Sequence, residues 1–129
     1  MSNGTLDPLQ TARSFCESYY SLMTTGGFID VISYFFADTI CIFQGQIYNT
    51  PADMLKMYLN DGIVRILYDN IFLETSVIDN NTLLIYVTGL CRGVSYGNYL
   101  FNRYRFTEIF VLKYINGRLY VSNYIFDFY

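Results

Sequence analysis

Two long runs rich in apolar residues, 103–115 and 118–129, close the chain, with Asn116-Gly117 between them. Asn-Gly is the dipeptide a two-residue type I′ turn selects, because both central positions need φ > 0. The two runs are therefore predicted to pair as antiparallel strands with Ile115 opposite Arg118. Carried along unbroken, that register places Tyr104, Phe106, Glu108, Phe110, Leu112 and Tyr114 on one face with Leu119, Val121, Asn123, Ile125 and Asp127. The other face carries Ile109, Val111 and Ile115 alongside Tyr120, Tyr124, Phe126 and Phe128. Both faces are apolar, whereas a sheet covering a single core is normally polar outside. Helices are expected on one side and a second functional surface on the other.

Helical spacing dominates the first half. Asp7-Pro8 supplies a cap acceptor followed by proline at the first helical position, after which Leu9, Ala12, Cys16, Tyr19 and Met23 share one stripe, flanked by Phe15 and Tyr20. Gly26-Gly27 ends that helix. A short second helix is predicted over 28–36, where Ile29, Ile32, Phe35 and Phe36 share a face. A strand follows over 39–43, with Gln44-Gly45-Gln46 turning into a partner at Ile47-Tyr48. Thr50-Pro51-Ala52-Asp53 opens a third helix by the same capping logic, and Asn60-Asp61-Gly62 stops it. Strands are predicted over 64–78 and 82–92, joined by Asp79-Asn80-Asn81. The 93–102 loop holds Tyr96, Tyr99 and Phe101 together with Gly93 and Gly97. Helices first and strands later define an α+β domain. Three helices on one face of a curved antiparallel sheet form a cone, its open end lined by residues such as Phe15, Phe35 and Phe126.

Composition narrows the function classes. At 129 residues the chain reads as one domain, 1–129, against a prior of ~100–200 residues per domain. Aromatics reach 19% (14 Tyr, 11 Phe) while charged residues are 15%, a balance that excludes disorder. Net charge is −3 and the eight basic residues form no run, which argues against direct nucleic-acid binding, since phosphate neutralisation supplies most of that affinity. Cys16, Cys41 and Cys91 lie in separate apolar runs and read as reduced, buried small hydrophobes. Histidine is absent, so no metal-ligand spacing exists and no cofactor is expected. The first residues lack a charged and an apolar signal region, and no run of 18 apolar residues occurs; a soluble protein without a membrane partner is expected. Asn3-Gly4-Thr5 and Asn80-Asn81-Thr82 match the glycosylation pattern but read as turn residues.

Phe15-Cys16-Glu17-Ser18-Tyr19-Tyr20, Val87-Thr88-Gly89-Leu90, Phe106 to Leu112 with Phe110 and Val111, and Tyr120-Val121-Ser122-Asn123-Tyr124-Ile125-Phe126 resemble, in order and spacing, the motifs of the nuclear transport factor 2-like family. Cys41-Ile42-Phe43-Gln44-Gly45 sits where that family has a strand ending in Trp-Glu-Gly. The resemblance spans roughly 11–128 and implies a cone-shaped α+β fold, related to the cystatin-like roll, that dimerises through its sheet. The implied dimer face is Phe106, Glu108, Phe110, Asn123, Ile125 and Asp127. Implied partners are Phe-Gly nucleoporins, an mRNA-export receptor or a Ran-type GTPase, with the domain working as homodimer or heterodimer in nucleus and cytoplasm. Stress-granule members suggest a peptide pocket of Phe15, Phe35 and Phe126, with Thr11 and Tyr34 at its rim. Two departures bear on the partner: Phe43-Gln44 replaces Trp-Glu, and Arg92 with an uncharged loop replaces acidic residues, so an acidic grip on a GTPase is missing. The motif Asn-Asp-x-Phe-Arg reads Asn123-Tyr124-Ile125-Phe126-Asp127, which leaves the dimer type open.

The reading that results is a non-catalytic dimeric adaptor for Phe-Gly-type peptides in nucleocytoplasmic transport. The alternative is the N-terminal dimerisation and peptide-binding domain of a stress-granule-type RNA-binding protein, cut from a longer chain. Phe15, Phe35 and Phe126 compete as a pocket with simple core packing. Tyr96, Tyr99 and Phe101 form either a partner-binding edge or a loop folded onto its own strands. A third class is an isomerase or dehydratase, since such enzymes share the cone. On the unbroken register Glu108 lies diagonal to Asp127 and beside Asn123, a possible inward carboxylate pair, with Tyr104 or Tyr114 as hydroxyl donor. Carboxylates at sheet ends are more often solvated or paired with arginine, and the expectation is that the chain is not an enzyme.

Overall fold

The computed structural model describes residues 7–129, so the Asn3-Gly4-Thr5 turn lies outside the described residues. The elements are α1 (Pro8–Thr25), α2 (Phe28–Ile32), β1 (Phe35–Phe43), β2 (Gln46–Tyr48), α3 (Pro51–Asn60), β3 (Arg65–Asp79), β4 (Thr82–Val94), β5 (Tyr104–Ile115) and β6 (Arg118–Phe128). Capping acts where the sequence places it. The Asp7 carboxylate accepts from the Leu9 N–H at 3.0 Å, and the Thr50 hydroxyl accepts from the Asp53 N–H at 3.1 Å. Gly26 closes α1 at φ 84°, where an added Cβ would meet the Val64 carbonyl at 3.0 Å.

The second helix is shorter than its pattern. It stops at Ile32, and Phe35 and Phe36 already belong to β1. The Tyr34 carbonyl accepts from the Val121 N–H at 2.7 Å, and Phe35 pairs with Val121. Strand pairing with a distant segment and burial of the Phe35 ring against Tyr19 and Tyr124 override a helical spacing of only two turns.

The six strands form one sheet in the order β2-β1-β6-β5-β4-β3. Neighbours are antiparallel except β1 and β6, which run parallel, so the sheet is mixed where an antiparallel one was expected. The long path through α3 and the β3 to β5 meander is the crossover that a parallel pair requires. All three helices lie on one side and enclose a core that includes Tyr19, Met23, Met54, Ile85, Phe106, Phe110, Leu112 and Tyr124.

The terminal hairpin turns at Asn116 and Gly117 with φ of 53° and 78°, and Ile115 pairs with Arg118 as the sequence requires. The register then slips. Leu112 pairs with Val121 but Val111 pairs with Asn123, so Ser122 is the extra residue of a β-bulge. Its hydroxyl lies 3.3 Å from the Val111 carbonyl and 2.9 Å from Asn123 Oδ1. One extra residue moves every later side chain to the opposite face. Tyr124 and Phe126 therefore join Phe106, Glu108 and Phe110 in the core, while Asn123, Ile125 and Asp127 lie across from Val111, Ile109 and Thr107 on the outer face. This corrects the expected dimer face: Phe106, Glu108 and Phe110 point inward, and Asn123, Ile125 and Asp127 stand on the other side.

Among the described residues no helix covers that outer face. Ile109 and Ile125 pair at its centre, flanked by Leu84 and Tyr86, with Phe72 on β3 (73% exposed) and Ile40 on β1 (52%) towards its edges.

Candidate functional site

The bulge assembles a polar centre inside the apolar cone. Glu108 projects from β5 and is 1% exposed. The Tyr20 hydroxyl of α1 donates to its Oε1 at 2.6 Å, and the Tyr124 hydroxyl of β6 donates to its Oε2. Burial pushes the Glu108 carboxyl up to about 7, against the two tyrosine hydrogen bonds that favour its charged form. Burial, with the Glu108 charge second, also holds the Tyr20 and Tyr124 hydroxyls well above their ordinary range, so both remain donors. The Tyr19 hydroxyl has no hydrogen-bond partner among the described residues. Asp127 and Asn123 face outward, so the inward carboxylate pair expected from the unbroken register does not form. Tyr104 is 39% exposed and Tyr114 lines a different groove; the hydroxyls that reach Glu108 come from Tyr20 and Tyr124. Sequence reasoning missed both tyrosines in this role, because only the bulge turns Tyr124 inward.

Among the described residues, two concavities take up predicted peptide-site residues. Along α1 a groove of about 490 Å³ is lined by Thr11, Phe15 and Tyr34 together with Ser18, Arg118 and Leu119. Three of the five predicted peptide-site residues thus meet. The Phe15 ring rests on Tyr34 and Phe110 at 5.8 and 5.0 Å between centroids. Phe35 does not line this groove: it is 5% exposed. Phe126 is elsewhere, stacked between Phe43 and Phe106 at 5.1 and 5.6 Å, and it backs a second cavity at the cone mouth. The proposed triad of phenylalanines is therefore split, Phe35 being core and Phe126 belonging to the other opening.

The partner loop projects. Ser95 and Tyr99 are bridged by the Ser95 N–H to the Tyr99 carbonyl at 2.9 Å, and the turn at Gly97 and Asn98 takes φ of 81° and 65°. Tyr96 and Tyr99 are each 76% exposed and Phe101 41%, while Phe101 also borders the mouth cavity. Burial pushes the thiols of Cys16, Cys41 and Cys91 up to about 12, as befits small hydrophobes rather than reactive groups. Among the described residues no group of side chains is placed to hold a metal ion, and no helix is long and apolar enough to cross a membrane.

No protein-family model and no curated protein matches the sequence. Solved structures do match in shape. Nuclear transport factor 2 from Cryptosporidium parvum superposes with a TM-score of 0.73 at 16% identity over 100% of both chains. A ketosteroid isomerase-like protein from Erwinia carotovora atroseptica gives 0.73 at 13% identity, covering 96% of this chain and 98% of its own. A hexachlorocyclohexane dehydrochlorinase from Novosphingobium barchaimii gives 0.71 at 13%, covering 94% and 88%. The chain has the nuclear transport factor 2-like fold, a frame shared by carriers and enzymes alike.

Proposed function

We propose that the protein is a non-catalytic adaptor domain that pairs through the outer face of its sheet and takes up phenylalanine-bearing peptides along α1. The observation that carries this reading is the groove in which Thr11, Phe15 and Tyr34 converge. An aromatic ring offers large contact area at small entropy cost, and burying one phenylalanine contributes roughly 1.5–3 kcal/mol. Hydroxyls of Thr11, Ser14 and Ser18 and the Arg118 guanidinium border the apolar floor and can bond a peptide backbone. Phe-Gly repeats of nucleoporins fit that chemistry, and nucleocytoplasmic transport is the setting, in keeping with the end-to-end likeness to a nuclear transport factor. A Ran-type GTPase fits less well, because Arg92 and an uncharged 93–102 loop stand where a basic partner would need carboxylates. Tyr96 and Tyr99 offer a second contact for a larger partner.

Titration of a Phe-Gly repeat peptide followed by NMR tests the reading. Thr11→Arg, which obstructs the groove from an α1 position without removing core atoms, is expected to abolish shifts at Phe15 and Tyr34 while leaving the melting temperature near wild type. Binding that survives Thr11→Arg places the peptide elsewhere and ends this proposal.

A second reading, a cone-fold isomerase or dehydratase, draws on Glu108 with its two tyrosine donors. It requires substrate to reach a carboxylate that is 1% exposed. Deuterium exchange into small ketones that disappears in Glu108→Gln would favour it over the adaptor.

A further inference from the structure

The cavity at the mouth of the cone is unused by the groove reading. It has a volume of about 210 Å³ and an almost wholly apolar wall, in which Phe43, Met57, Tyr58, Phe101, Phe126 and Phe128 take part. That is below the ~300–1,000 Å³ of a pocket for a drug-sized ligand, so its occupant is small. Arg92 also lines it, and Arg92 with Cys91 lines an adjoining hollow of about 320 Å³ that holds Arg103, Tyr68 and Asp69.

Charge is unevenly spread along these two openings. Asp61, at the end of α3, borders only the apolar cavity, while both arginines meet in the adjoining hollow against the single carboxylate of Asp69. Asp69 is partly engaged, its Oδ1 accepting from the Asn70 N–H at 3.0 Å. Arg92 donates from Nε to the Phe101 carbonyl at 3.1 Å. A guanidinium has five N–H donors in a planar fork, so this bond fixes the stem of Arg92 and leaves the terminal nitrogens for a ligand.

We propose that the two openings form one binding site for an amphipathic carboxylate, a short acyl or aryl acid whose apolar body fills the aromatic cavity and whose carboxylate meets Arg92 and Arg103. Asp61 repels the charged end from the apolar side, which sets the direction of entry. Arginine suits this task because its fork matches a carboxylate bidentately. Phe101 forms part of the wall and belongs to the projecting loop, so an occupied cavity also braces the segment that carries Tyr96 and Tyr99.

Calorimetric titration with octanoate, octanol and octylamine separates tail from head. Octanoate is expected to bind about tenfold more tightly than octanol, the size of one charge-assisted hydrogen bond, and octylamine most weakly. Arg103→Gln and Arg92→Gln should each erase the preference for octanoate over octanol while octanol binding persists; Arg103→Gln serves where loss of the Arg92 bond to Phe101 disturbs the loop. Met57→Trp, filling the cavity from the half-buried face of α3, should abolish binding of all three. Equal affinity for the three headgroups, a preference for octylamine, no binding of octanoate, or undiminished binding to Met57→Trp would each overturn the proposal. Phe-Gly peptide binding at the α1 groove should be unaffected by Met57→Trp, so failure here and failure of the adaptor reading are distinguishable.

Discussion

Glu108 concentrates the electrostatics of the molecule in one side chain. In the unfolded chain the carboxyl titrates at its ordinary value of 4.5, and in the folded core burial lifts it to about 7. The folded state then holds a proton that the unfolded state has released, so stability is full below the unfolded value, falls as pH rises between the two, and levels off above the folded value. With the carboxyl moved from 4.5 to about 7 and ~1.4 kcal/mol for each tenfold, the loss is roughly 3 kcal/mol. Glu108→Gln keeps the shape and cannot ionise. Urea melts at mildly acid and mildly alkaline pH should show the wild type weakening with pH and the variant nearly level. A wild-type curve as flat as that of the variant would mean that Glu108 keeps its ordinary affinity for protons. Neighbouring aromatics divide the labour differently: Phe126 holds the core between Phe43 and Phe106, and Phe15 combines packing with a groove-facing edge.

At the scale of elements, the bulge in β6 decides more than any helix does. The turn at Asn116-Gly117 sets the first pairs of the hairpin, and a single inserted serine then exchanges the two faces, bringing Tyr124 to Glu108 and carrying Ile125 outside. Gly89 lets β4 sit closely between β3 and β5. A Cβ there would lie 2.8 Å from Ile71 Cδ1, 3.0 Å from Phe106 Cε1 and 3.1 Å from the Asp69 carbonyl. The isoleucine tip can swing aside, but a packed ring and a backbone oxygen cannot. Gly89→Ala is expected to cost about 1–3 kcal/mol as overpacking, read from the denaturant midpoint; an unchanged midpoint would show that β3 and β4 slide apart without penalty. The β3 strand already bends at this point, where Asn70 takes φ 53° and the register shifts between Asp69 and Phe72.

For the whole molecule, the outer sheet face is an apolar surface that neither the α1 groove nor the mouth cavity uses. Its centre is Ile109 against Ile125, beside Tyr86 and Leu84, and contiguous apolar area of this kind marks an interaction site. A second copy meeting it face to face would form an isologous two-fold pair. Sedimentation should find a dimer at micromolar concentration, and Ile109→Glu should yield a folded monomer with peptide binding at Thr11 and Phe15 retained. A wild-type monomer at all concentrations would remove self-pairing from the adaptor reading.

How much of this was legible beforehand follows from the range of each interaction. Helix starts at Asp7-Pro8 and Thr50-Pro51, the stop at Gly26 and the turn at Asn116-Gly117 are set by residues within four positions of one another, and the sequence alone determined them. It also determined the α+β order, the burial of the three cysteines and, through the resemblance, the cone-shaped fold. Only the tertiary structure decided that Phe35 leaves its helix to pair with Val121, that β1 runs parallel to β6, and that Ser122 bulges. None of these has a local signal, because each is selected by the packing of segments far apart in the chain. The split of Phe15, Phe35 and Phe126 among groove, core and cavity follows from the same cause: pairing with Val121 draws Phe35 into the core, and a period of two places Phe126 correctly only until the bulge at Ser122, a choice made by the assembled core.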